Sequence, residues 1–175
     1  MLTAWYIGNH SKDGFMARLG YALIRLGQIG QKYGRATHCE GIVVGPWWSC
    51  TIAGASRRDG AQVRFKTVDL MHGHWVILDV PHWDAVAFTA EAEKLAGTPY
   101  SDIGAASSAS MLVGLFVRLA GVHVAELGQW CSRFILDCNK VQGAEDMSVS
   151  EAMAVALALP GTRDVTAEYF ATPKP

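Results

Sequence analysis

Between Ala36 and Val80 the chain carries four stretches of strand-forming residues separated only by turn residues, and this run constrains the fold more than any other feature. The stretches are Ala36–Val44, Ser49–Ala55, Gln62–Leu70 and His74–Val80, divided by Pro46-Trp47-Trp48, by Arg57-Arg58-Asp59-Gly60 and by Met71-His72-Gly73. Along the third, Val63, Phe65 and Thr67 share one face while Arg64, Lys66 and Val68 share the other. Parallel neighbours need a crossover of about a dozen residues or more, usually a helix, and none fits between these strands. The sheet is therefore expected to be antiparallel. Helical spacing flanks the run on both sides. Before it, Phe15–Ile29 repeats apolar residues at Phe15, Leu19, Ala22, Leu23 and Leu26 and ends at Gly30 and Gly34. After Trp83, the alanine-rich Asp84–Ala96 is stopped by Gly97-Thr98-Pro99, and Ile103–Ala120 is apolar on all sides, as a buried helix would be. Gln129–Val141 and Val149–Leu159 follow, the latter opened by the capping pattern Ser148-x-x-Glu151. The order helix, strands, helices predicts an α+β fold, an antiparallel sheet packed against helices, in one domain over 1–175.

Half of the 175 residues are hydrophobic and 18% are charged, a balance that excludes intrinsic disorder. A net charge of −1 gives no basic stripe for nucleic acid or for an anionic membrane surface. The most apolar segment, Ile103–Val122, contains Ser107, Ser108, Ser110 and Arg118, which fits a core helix better than an integral membrane segment. The first residues lack a basic stretch followed by a long apolar one, so no signal peptide is expected. Cytoplasmic synthesis with reduced thiols follows as the expectation. The four cysteines, Cys39, Cys50, Cys131 and Cys138, match no paired C-x-x-C zinc spacing.

Among residues that could carry chemistry, Cys131 is the most informative. Gly128 and Gln129 break the chain just before it and Ser132-Arg133-Phe134-Ile135-Leu136 continues as helix, which puts the thiol in a helix's first turn. Unpaired N–H groups and the macrodipole favour a thiolate there, the form that acts as a nucleophile. A small buried side chain is the plain alternative. Cys138, two turns on, reads as structural. In Thr37-His38-Cys39-Glu40-Gly41, strand alternation puts His38 and Glu40 on one face and sends Cys39 to the other. A carboxylate beside an imidazole can orient it and keep it basic; a solvated strand end is the alternative. His72 and His74, with His82 or Asp79 as a third ligand, would be the only metal set, and a turn leading into a strand explains them equally well. No metal or other cofactor is expected. Trp47, Trp48 and Trp130 either wall an apolar or sugar-binding cleft or pack the interior. No G-x-S-x-G elbow, phosphate loop or dinucleotide fingerprint is present.

The order of these pieces is more specific than any one of them. Tyr33-Gly34-Arg35-Ala36-Thr37-His38, then Gly97-Thr98-Pro99-Tyr100, then Trp130-Cys131-Ser132 resembles the circularly permuted papain-like hydrolases. These are the YiiX-like branch of the NlpC-type cell-wall peptidases, in the wider group that includes lecithin:retinol acyltransferase. In ordinary papain-like chains the cysteine helix precedes the histidine strand; the permuted branch reverses this, as here. The resemblance covers roughly Arg25 to Asp137. It implies a cysteine peptidase or amidase with Cys131 as nucleophile, His38 as general base and a third polar residue, either Glu40 or one from the next strand, Ser49 or Thr51. Glu40 is the choice made here. Tyr33, Trp47, Trp48 and Trp130 are the candidate substrate-binding residues. The family offers peptide, cell-wall peptide and lipid acyl substrates. The apolar helix over 107–119 would be a cap or an oligomer contact. Because cell-wall enzymes must reach their substrate and no signal peptide is expected here, virion association or release by another non-signal route would be needed. A non-catalytic binding or structural module on the same fold is the alternative.

Overall fold

The computed structural model describes residues 1–7, 36–57, 60–70, 74–109, 119 and 128–174. The elements in chain order are β1 (Leu2–Tyr6), β2 (His38–Val44), β3 (Cys50–Ser56), β4 (Gln62–Val68) and β5 (Trp75–Asp79). There follow α1 (Ala85–Leu95), α2 (Asp102–Ala109), α3 (Cys131–Cys138), α4 (Val149–Ala158), β6 (Arg163–Asp164) and α5 (Thr166–Ala171). The fold class is α+β. The strands form one six-stranded sheet in the order β4-β3-β2-β1-β5-β6, with every neighbouring pair antiparallel.

Two expectations need correcting. The chain opens with a strand rather than a helix, and β1 sits in the middle of the sheet, pairing Tyr6 with His38 on one side and with Trp75 on the other. Five residues are too few to show a period against the polar start that follows. The apolar helix expected from Ile103 is not buried all round where it is described: Ile103 is 53% exposed and Leu119 74%. Gly104 explains the orientation, because it is the residue of α2 pressed against the Trp130 ring, which turns Ile103 outward; a Cβ there would fall 2.3 Å from that ring. The helix expected at Phe15–Ile29, most of the helix over 107–119, the Arg58-Asp59 turn, Tyr33 and His72 lie outside the described residues.

Alternation along the strands builds two cores. One face of the sheet offers Trp5, Cys39, Ala53, Ala55, Val63 and Leu78 to α1, α3 and α4, which contribute Phe88, Phe134, Ile135 and Met153. Small residues on β3 and Gly41 on β2 let the helices approach: a Cβ on Gly41 would lie 2.2 Å from the Phe88 ring. The other face offers Ala4, Ile42, Ile52 and Ile77, covered by Val165 and Phe170 of the C-terminal segment. The capping box expected at Ser148 is formed, with Ser148 Oγ accepting from Glu151 N–H and the Glu151 carboxylate accepting from Ser148 N–H.

Candidate active site

A backbone strap sets where α3 begins. Along Gly97-Thr98-Pro99-Tyr100-Ser101, Gly97 N–H donates to Val63 O at 2.9 Å, Val63 N–H to Thr98 O at 2.9 Å and Tyr100 N–H to Ala61 O at 2.7 Å. The same strap then holds the approach to α3, with Gln129 N–H on Pro99 O at 3.0 Å and Ser101 N–H on Gln129 O at 2.8 Å. Gly128, at φ +92°, packs its Cα so closely on Pro99 O that a Cβ would lie 2.5 Å from it. Edge strand β4 and the start of α3 are thus tied together through main-chain bonds. The glycines and Pro99 of the sequence motif do this work.

Cys131 is the first residue of α3. Trp130, in extended conformation at the N-cap, supplies no side-chain acceptor, so the first-turn N–H groups are not consumed by a cap. Ser132 Oγ donates to Met147 O at 2.8 Å and Arg133 Nη1 to Gly128 O at 2.9 Å, fixing the turn from both sides.

The sheet brings the rest. His38 and Glu40, on one face of β2 as alternation requires, meet with His38 Nε2 2.6 Å from Glu40 Oε1. Glu40 is only 1% exposed. Arg64 of β4 grips its carboxylate in a fork, Nη1 donating to Oε2 at 2.9 Å and Nη2 to Oε1 at 2.8 Å. Nη1 also donates to Gly54 O at 2.9 Å. Gly54 is what lets the carboxylate lie across β3, since a Cβ there would be 1.6 Å from Glu40 Oε2. Cys39, on the other face of β2, is buried in the helix-side core together with Cys131. Among the described residues, Cys39 and His38 are the groups that bear electrostatically on the Cys131 thiol.

These contacts set the charges. The Cys131 thiol is held well below the usual thiol range, first by the Cys39 thiol donor, against the opposing effect of burial, and then by the hydrogen bond and charge of His38. Burial is the largest influence on His38 and pulls it down, but the Glu40 charge and the bonds to Cys131 and Glu40 outweigh it and raise the imidazole to about 10. Glu40 is likewise opposed by burial, and the His38 and Arg64 contacts hold it below its ordinary value. The other three cysteines go the opposite way. Burial raises Cys39, Cys50 and Cys138, the last to about 12. These directions favour a Cys131 thiolate beside a His38 imidazolium.

The remaining candidates divide. Ser49 lies in a short turn and Thr51 Oγ1 meets Thr67 Oγ1 across the sheet at 3.3 Å; Glu40 is the group on His38. Trp47 donates its indole N–H to Thr172 O at 2.8 Å and packs on Phe170, with Trp48 edge-on to it. Trp47 thus helps hold the C-terminal segment. Trp130 is buried under the Arg133 guanidinium and against Gly104, its indole N–H without a partner among the described residues. His74 stacks on Tyr6, and among the described residues no group of three His, Cys, Asp or Glu could hold a metal ion.

Sequence reasoning did not single out Arg64, Gly54, Tyr6 or Trp75. Arg64 carried a signal, as a cation on the face of β4 that alternation assigned, and Gly54 another, as a glycine inside a strand where a close approach is the usual reason. Tyr6 and Trp75 flank His38 through the β1 pairing, Trp75 edge-on to it with ring centres 6.5 Å apart. Comparison of the chain with protein-family models, with curated proteins and with solved structures returns no match.

Proposed function

We propose that the chain is a cysteine hydrolase of the circularly permuted papain-like kind, cleaving an amide or an acyl ester through an acyl-enzyme on Cys131. One observation carries this reading: a helix-opening cysteine has its thiol lowered by a neighbouring His38, whose Nε2 lies 2.6 Å from a buried carboxylate. Nucleophile, base and orienting group then stand in sequence, the arrangement that activates a thiol. The order of histidine strand before cysteine helix supports the permuted form of the resemblance.

In the reaction, the Cys131 thiolate attacks the substrate carbonyl carbon and the carbonyl oxygen takes the negative charge. The Cys131 N–H at the uncapped helix start is the donor for that oxyanion. The His38 imidazolium gives its proton to the leaving nitrogen or oxygen as the bond breaks, leaving a thioester. Neutral His38 then takes a proton from water, whose oxygen attacks the thioester, and collapse returns the thiolate and the imidazolium. Glu40 stabilises the imidazolium in both halves and does not accept its proton. Peptide amides, cell-wall peptides and lipid acyl esters are the substrate classes to screen. The direct test incubates wild type, Cys131→Ala and His38→Ala with that panel and looks by intact mass for an acyl adduct on Cys131. Turnover and adduct in wild type, both lost in Cys131→Ala, support the reading; turnover retained in Cys131→Ala removes it.

The non-catalytic binding module keeps one observation in its favour, the 4% exposure of Cys131. It is the reading to pursue if no member of the panel acylates the wild-type thiol.

A further inference from the structure

The groups around Cys131, with His38 partly exposed and Glu40 buried, form an alternating series of charges. Two anions, the Cys131 thiolate and the Glu40 carboxylate, lie on either side of one cation, His38, and Arg64 closes the series beyond Glu40. Among the described residues, the other groups that bear on the Cys131 thiol are the Cys39 thiol and backbone, neither of which carries positive charge. On α3 itself, the Arg133 guanidinium is engaged by the Asp137 carboxylate at 3.1 Å and adds no net charge. A buried charge is tolerated only when it is paired. One imidazolium neutralises one anion, not two, and Glu40 holds it at 2.6 Å. Without a second cation the thiolate would be the uncompensated member.

We propose that Arg64 is a positioning residue of this site, supplying the second buried positive charge that lets Glu40 and Cys131 be anionic together while His38 serves both. The inference rests on the thiolate–imidazolium reading of Cys131 but not on any substrate. Arg64 is well placed for the role, at 12% side-chain exposure and with two N–H groups on the two oxygens of Glu40 and a third bond to the Gly54 carbonyl. The role is electrostatic, so a lysine should serve in part and a neutral side chain should not. It also depends on Glu40: with that carboxylate removed, His38 has a single anion to neutralise and Arg64 becomes dispensable.

The test is the rate of iodoacetamide labelling of Cys131 as a function of pH, resolved by mass spectrometry, with folding of each variant verified by circular dichroism. Arg64→Met is expected to move the labelling titration of Cys131 upward by at least about one unit relative to wild type, with labelling slowed at pH values below the shifted midpoint. Arg64→Lys is expected to stay within about threefold of wild type, well under the factor of ten that one unit of titration represents. The double variant Glu40→Gln/Arg64→Met is expected to have the same Cys131 titration as Glu40→Gln alone, which a merely structural role for Arg64 would not produce. Folded Arg64→Met labelling as fast as wild type would overturn the proposal. If Arg64→Met does not fold, the other variants decide: a wild-type titration in Arg64→Lys together with a double variant that matches Glu40→Gln supports it, and a raised titration in Arg64→Lys, or in the double variant relative to Glu40→Gln, overturns it. An ordinary thiol titration for wild-type Cys131 would instead reject the underlying thiolate, so the two failures are distinguishable.

Discussion

At the scale of single residues, the site is a set of opposed burial and pairing effects whose signs lead to measurable outcomes. His38 titrates near 6.5 when unfolded and at about 10 in the folded chain. Its raised value means that its contribution to stability is complete below the unfolded titration and is lost as pH rises through the folded one. Glu40 is lowered in the fold from 4.5, so its contribution is present above that value and is lost as pH falls through the folded titration. Stability against urea is thus expected to decline at both extremes. In His38→Ala the alkaline decline assigned to this group should disappear; an unchanged alkaline limb would show that another group causes it. Hydrolysis should fall as pH rises through about 10, when the imidazolium that protonates the leaving group is lost. In Glu40→Gln the removed charge should bring that limb down towards the ordinary imidazole range, and a pH–rate profile with an unmoved limb would remove Glu40 from the mechanism. Loss of the histidine proton transfer should cost roughly 10²- to 10⁴-fold in rate in His38→Ala.

At the scale of elements, glycines decide which surfaces meet. Gly54→Ala would push a methyl group into the Glu40 carboxylate, 1.6 Å from Oε2, so the Arg64 fork and the His38 contact must both shift. The expected result is a destabilisation of about 1–3 kcal/mol, as for overpacking, together with slower low-pH labelling of Cys131. Gly41→Ala meets Phe88 instead and should destabilise comparably without altering the thiol titration, since Phe88 belongs to α1 and not to the site. Equal effects of the two on the titration would contradict this separation of site from core. The α4 capping box gives an independent calibration: Ser148→Ala should cost about 1 kcal/mol by thermal or chemical unfolding. Elements with a strong local signal were legible in the sequence. The alternation of β4, the alanine-rich α1 and the Ser148 cap all lie where their patterns put them. Strand β1, β6 and α5 were not legible, because five, two and six residues show no period and their structure comes from pairing and packing with distant parts of the chain. The helix around Cys131 is shorter than its apolar pattern, ending at Cys138, where the chain turns through Asn139 and then Lys140, the latter at φ +56°.

At the scale of the whole molecule, the sheet separates two cores, and the site uses both of its faces. His38, Glu40 and Arg64 share one face, while Cys39 and the α3 helix belong to the other, and the Cys131 sulfur is where the two sets meet. This explains what the sequence could and could not reveal. That His38 and Glu40 face the same way follows from the period of a strand. That Arg64 would reach them requires knowing that β3 lies between β2 and β4 and that Gly54 leaves the space, which is a property of the assembled sheet. Among the described residues no helix is long and apolar enough to cross a membrane. The central claim, a thiolate–imidazolium pair between Cys131 and His38, is tested most directly by per-cysteine iodoacetamide labelling of wild type and His38→Ala across about pH 5 to 9, a span that brackets the ordinary imidazole and thiol titrations. Wild-type Cys131 should label rapidly throughout while Cys39, Cys50 and Cys138 remain slow, and in His38→Ala the labelling should acquire a rising limb towards the ordinary thiol range. Slow labelling of wild-type Cys131 with an ordinary titration, unchanged in His38→Ala, would contradict the account.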